Sequence, residues 1–214
     1  MSGAKNGRLM QYIILGILVS LWVTLTSCGR EKPHIVEIAK EVDDGVVVRE
    51  RGGSGYYTGG NGRVHGLLTV GVFSFVIGQV FESRALLRFD IHSWKGEDVT
   101  LHLYCDSHWY QGNPSVDIYV VEDFGLLPTQ RVLNWETMWN IIANGTKVNS
   151  SPIKPTKGEW LTVTIPATVM EDKQSEWGCY IGIVVKLHDE SISPSVVANF
   201  SSYSQEKYRP YIEW

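Results

Sequence analysis

The chain reads as all-β: a two-sheet sandwich of about nine strands with one or two short helices. Three features predict this. Apolar residues recur at every second position in several separate runs, a spacing that lines one face of a pleated strand and no face of a helix. Clusters of Gly, Pro, Asn and Ser part these runs, as turns part strands. Only two short windows carry a helix start signal.

In chain order, the first strands are expected at 46–49 and 67–77, separated by the glycine-rich stretch 52–62. Ala85, Leu87, Phe89 and Ile91 then alternate with Arg84, Leu86, Arg88 and Asp90. After the Lys95-Gly96 turn, Leu101, Leu103 and Cys105 alternate with His102, Tyr104 and Asp106. Gly112-Asn113-Pro114 precedes a strand at 116–122. Asn134 can cap a helix over 135–143, with Gly145 beyond its end. Lys157-Gly158 leads into Leu161, Val163 and Ile165, alternating with Trp160, Thr162 and Thr164. Pro166 suits the first turn of a helix over 167–177. Cys179, Ile181, Ile183, Val185 and Leu187 form the next inward set, and strands at 196–200 and 210–214 close the domain after Ser193-Pro194.

The N-terminus speaks to location. Lys5 and Arg8 precede 17 uncharged residues from Leu9 to Leu25, and the run ends in Leu25-Thr26-Ser27-Cys28. This resembles the lipobox of prokaryotic lipoproteins. The resemblance implies that residues 1–27 are a signal peptide, that Cys28 is lipidated, and that the protein is held on the membrane outside the cytoplasm, in the cell envelope. The other reading is an uncleaved membrane helix with Cys28 incidental. Residues 28–42 are expected to be a tether and 43–214 the sandwich domain. The net charge is −4 over 214 residues, and no basic cluster is present. That speaks against nucleic acid, whose binding depends on Lys and Arg meeting phosphates.

Four segments together resemble a known family. They are Ser83-Arg84-Ala85-Leu86-Leu87-Arg88-Phe89-Asp90-Ile91, Leu133-Asn134-Trp135-Glu136, Trp160-Leu161-Thr162-Val163, and Asn199-Phe200-Ser201-Ser202-Tyr203 leading to Tyr208-Arg209-Pro210-Tyr211-Ile212-Glu213. In order and spacing they resemble the DNRLRE-type jelly-roll domain, a group of extracellular modules akin to carbohydrate-binding modules. The resemblance covers roughly residues 43–214. It implies a jelly-roll topology and binding to polysaccharide without catalysis.

Eight Trp and ten Tyr supply flat rings on which the C–H faces of sugars can stack, while hydroxyls need polar partners. The ligand candidates are Arg88, His102 and Tyr104, opposite the core set on their strands, with Trp94, Trp109 and Tyr110 in loops. Trp135 and Trp139, four apart on the expected helix, read as lids on the core, and Trp160, Trp177 and Trp214 as structural. Tyr56 and Tyr57 in the glycine-rich stretch read either as a binding loop or as rim packing. Asp43, Asp44, Asp189 and Glu190 could bind a structural calcium ion or be solvated turn acids. Cys105 and Cys179 both fall on the apolar side of their strands; an oxidising location permits a disulfide, and two buried thiols are the alternative. No nucleophile, zinc or phosphate-loop motif occurs. The expected function is a lipid-anchored, non-catalytic carbohydrate-binding module. The alternative is an adhesin or structural interaction module of the envelope.

Overall fold

The computed structural model describes residues 32–52, 56–59, 67–74, 78–106, 111–127, 132–133, 136–174, 178–192 and 195–214. Cys28, Trp109, Tyr110, Trp135 and Trp177 lie outside them. The compact unit spans His34–Trp214. Among the described residues no helix is long and apolar enough to cross a membrane.

The unit is an all-β sandwich of two antiparallel sheets. The first sheet runs β1 (Ile35–Glu37), β13 (Tyr211–Glu213), β6 (Val99–Tyr104), β10 (Trp160–Ile165). The second runs β8 (Val132–Leu133), β3 (Tyr56–Gly59), β2 (Asp44–Glu50), β5 (Phe81–Asp90), β11 (Tyr180–Leu187), β7 (Val116–Val121), β9 (Thr146–Lys147). β4 (Leu67–Phe73) also pairs with β5, and β12 (Val196–Ser201) with β4.

The expected alternation sets the core. Leu101, Leu103, Leu161, Val163, Ile165 and Ile212 of the first sheet face Ala85, Leu87, Phe89, Ile181, Ile183 and Val185 of the second in one cluster. Register makes this possible: Ile181 pairs with Phe89 and Ile183 with Leu87, so their side chains share a face.

The second sheet is buried on its other face too. Helix α1 (Glu136–Asn140) and the 3-10 turn Ile141–Asn144 lie over it, and Trp139, 2% exposed, packs with Val47, Leu86, Val121, Leu127 and Val184. Double burial explains why β11 reads as a nearly continuous apolar run, and why Arg84 and Arg88 of β5, on that second face, are buried with acidic partners. The Arg84 and Arg49 guanidinium carbons lie 3.7 and 4.4 Å from the Trp139 ring centroid, so charged side chains hold the lid. Helix α2 (Ala167–Lys173) starts after Pro166, which is its N-cap and not its first-turn residue. The Asp98 carboxylate accepts from the Ala167 N–H at 2.8 Å and does the capping that a proline side chain cannot.

Two expectations fail for one reason. The tether does not extend to residue 42: β1 pairs with β13, and Ile38 is fully buried. The glycine-rich stretch is not all loop: β3 pairs with β2 from Val46↔Gly59 to Arg49↔Tyr56. Both segments are too short to show a period. Their strand state comes from partners distant in sequence.

Candidate functional site

The outer face of the first sheet carries an aromatic platform. Leu101, Leu103, Leu161, Val163 and Ile212 point inward, so pleating turns His102, Tyr104, Trp160, Thr162 and Tyr211 outward. Register gathers them: Trp160 pairs with Tyr104, and His102 lies between Thr162 and Tyr211. The 3-10 turn Glu206–Tyr208 then adds Tyr208. Arg209 secures that turn; its Nε donates to the Tyr203 carbonyl at 2.8 Å and its guanidinium covers the Tyr203 ring at 4.5 Å.

Two ring pairs stand on this surface. Tyr104 and Tyr208 are stacked, and the centroids of His102 and Tyr211 are 4.2 Å apart with planes 8° from parallel. Trp160 presents a tilted or edge-on ring to Tyr104 at 5.5 Å and to Tyr211 at 5.4 Å, and is itself 39% exposed. A tryptophan left that open is unusual, because burying it is worth more than burying almost any other side chain. Polar groups border the rings. His102 Nε2 and Glu213 Oε1 are 3.0 Å apart, and Thr162 Oγ1 lies 3.4 Å from His102 Nδ1. The Lys207 ammonium sits 4.9 Å from the Tyr208 centroid. Its hydrogen bond holds the Tyr208 hydroxyl below the usual phenol range. Desolvation, with Tyr208 beside it, pushes the Tyr104 hydroxyl up; desolvation and Glu213 do the same to Tyr211. The platform can therefore offer ring faces together with hydroxyl, imidazole and ammonium groups.

The sequence-derived candidates divide. His102 and Tyr104 belong to the platform. Trp94 does not: it packs against the main core and its Nε1 donates to the Glu97 carbonyl at 2.8 Å, bracing the β5–β6 connection. Arg88 is 9% exposed and fully engaged. It donates to Asp123 at 2.6 and 3.0 Å and to Asp43 at 3.1 Å, and lies 3.5 Å from the Tyr180 centroid. Its charge is spent inside the protein. Trp160, read as structural, is the most exposed ring of the group's strands. Strand alternation already placed it outward with Thr162 and Thr164. Tyr208 had no periodic signal, since it stands on a 3-10 turn.

The four calcium candidates do not form a cation site. Asp43 pairs with Arg88. The Asp44 carboxylate accepts from the Tyr203 N–H at 2.6 Å. Asp189 accepts from the Ser191 N–H and hydroxyl, as a turn acid does. Glu190 binds Arg84 at 2.7 Å and Lys186 at 3.5 Å. Among the described residues no group of three or more His, Cys, Asp and Glu is placed to hold a metal ion. Cys105 and Cys179 are free thiols and not a disulfide. Cys179 lies beside the β5–β6 connection, its carbonyl accepting from Ile91 N–H at 2.7 Å. Cys105 directly follows β6, in a backbone bridge to Phe200, and is fully buried. Burial pushes the Cys105 thiol up to about 11.

No protein-family model matches the chain, and no curated protein matches it.

Proposed function

We propose that the protein is a non-catalytic carbohydrate-binding module that uses the platform of Trp160, Tyr104, Tyr208, His102 and Tyr211, and that it acts in the cell envelope on a lipid anchor at Cys28. The observation that carries the reading is the exposed Trp160 among stacked rings on one sheet face. Sugar rings bury their C–H faces against such aromatics, and the bordering Lys207, Thr162, His102 and Glu213 match the hydroxyls that remain. The resemblance of residues 43–214 to DNRLRE-type jelly-roll domains supports the same class. Glycoside hydrolysis needs two carboxylates flanking the bond; Glu213, on the platform strands, is already held by His102.

The test is retardation of the protein in native gels cast with soluble plant, bacterial and algal polysaccharides, alongside the Trp160→Ala variant. Retardation by at least one polysaccharide, lost in the variant, is the expected result. Equal mobility in every gel sinks the proposal. The anchor is tested separately by metabolic labelling with a fatty acid, which Cys28→Ala should abolish.

A further inference from the structure

A second concave site lies on the outer side of the other sheet, and its argument does not depend on the platform. Its floor exists because Gly182 of β11 has no side chain. A Cβ there would stand 2.8 Å from the Phe124 ring and 2.6 Å from a Val121 methyl. The absent side chain lets Phe124 lie directly on the sheet. Gly145 makes the same allowance for the other Val121 methyl, at 2.8 Å. Met138 and Ile141, packed against the Trp139 cluster, form the opposite wall. The result is a cleft of about 560 Å³, within the size range of small-molecule sites.

The rim is acidic. Glu122 and Glu136 line the cleft and are exposed. Neither side chain has a hydrogen bond or ion pair with a described residue. Asp123 also lines the cleft, but Arg88 neutralises it and holds its carboxyl below the usual range. No Lys or Arg is among the described lining residues, whose other polar groups are Thr137, Asn140 and Asn144. Apolar walls beneath two carboxylates disfavour anions and give a neutral ligand the walls and hydrogen bonds but no charge partner. They favour a cation whose hydrocarbon body enters the cleft and whose charge stays at the rim.

We propose that this cleft binds an organic cation with an apolar body, a primary ammonium or guanidinium carried on an aryl or alkyl group. The apolar body rests on Phe124, Met138 and Ile141, and the charge lies between Glu122 and Glu136.

The experiment follows the methyl resonances of Met138 and Ile141 in the full chain during titration with three probes of similar shape: 2-phenylethylammonium, 2-phenylethanol and 3-phenylpropionate. The expected result is a saturable shift with the cation, binding about three- to tenfold tighter than the neutral alcohol as two exposed carboxylates allow, and weakest binding of the anion. Added salt should narrow the gap. In the Glu122→Gln/Glu136→Gln variant, whose exposed positions leave the fold intact, the cation should bind no better than the alcohol. Equal binding of cation and alcohol by the unaltered chain overturns the charge assignment. The absence of any saturable shift at Met138 and Ile141 with the cation overturns the site itself.

Discussion

The rings of Tyr104 and Tyr208 stack with centroids 3.9 Å apart and planes 11° from parallel, although one stands on a strand and the other on a 3-10 turn more than a hundred residues later. The pair ties the chain's final turn to the centre of the first sheet, at the edge of the exposed Trp160 ring. Several outcomes follow from how such pairs are placed.

Trp160→Ala should reduce polysaccharide affinity about tenfold while lowering stability by less than about 1 kcal/mol, since the ring is already open to solvent. Tyr208→Ala should also weaken binding, and should loosen Tyr104. Affinity electrophoresis and urea unfolding, run on the same preparations, separate the two effects.

Trp139→Ala should destabilise the domain by about 3–5 kcal/mol. It empties the space between α1 and the second sheet and removes the surface on which Arg84 and Arg49 rest. The variant should keep its affinity for polysaccharide, because the platform lies on the first sheet. Loss of binding with no change in the unfolding midpoint would contradict this division.

Arg88→Ala should cost about 3–5 kcal/mol, because it leaves Asp43 buried and without its cation. The acid limb follows from the same geometry. The hydrogen bond from Arg88 holds the Asp123 carboxyl below the usual range. At Asp117, burial acts upward but the bonds from Lys147, His188 and Asn149 outweigh it and hold the carboxyl low. A carboxyl depressed in the folded state stabilises above its unfolded value of about 3.9, and that stability is lost as pH falls through the lower, folded value. Urea midpoints should therefore be flat from neutrality to about pH 5 and fall steeply below about pH 4. Asp123→Asn should be less stable at neutrality and show a shallower acid decline.

Iodoacetamide under native conditions should modify Cys179 and spare Cys105. Cys179 is partly exposed, and its Sγ lies 3.3 Å from His92 Nδ1. Cys105 is fully buried and its thiol is pushed up to about 11, so little reactive thiolate forms. Peptide mapping by mass spectrometry identifies the alkylated residue. Equal labelling of both would show that β6 opens at its end.

Much of the fold was legible because it rests on a local period. The nine expected strands are all present, four of them read from strict alternation, such as β10, where Leu161, Val163 and Ile165 point in and Trp160, Thr162 and Thr164 point out; β4, expected over 67–77, is a strand over Leu67–Phe73. β1, β3, β8 and β9, of two to four residues each, were not legible. A segment that short has no measurable period, and its state depends on the partner it meets. The candidate site was half legible. His102 and Tyr104 were placed on the outward face correctly. Arg88 and Trp94 lie apart from the platform with their polar groups engaged inside the domain, which residue type alone does not tell, since it says nothing of which neighbours have claimed a guanidinium or an indole.

By itself, the sequence determined the strand faces, the turns between them and hence the sandwich, since pleating sends alternate side chains to opposite sides whatever the rest of the chain does. Only the tertiary structure decided which outward residues meet. Register brought Trp160 beside Tyr104 and His102 beside Tyr211, a terminal turn laid Tyr208 on Tyr104, and the missing side chain at Gly182 opened a seat for Phe124. These contacts join residues far apart in the chain, and no local pattern encodes them.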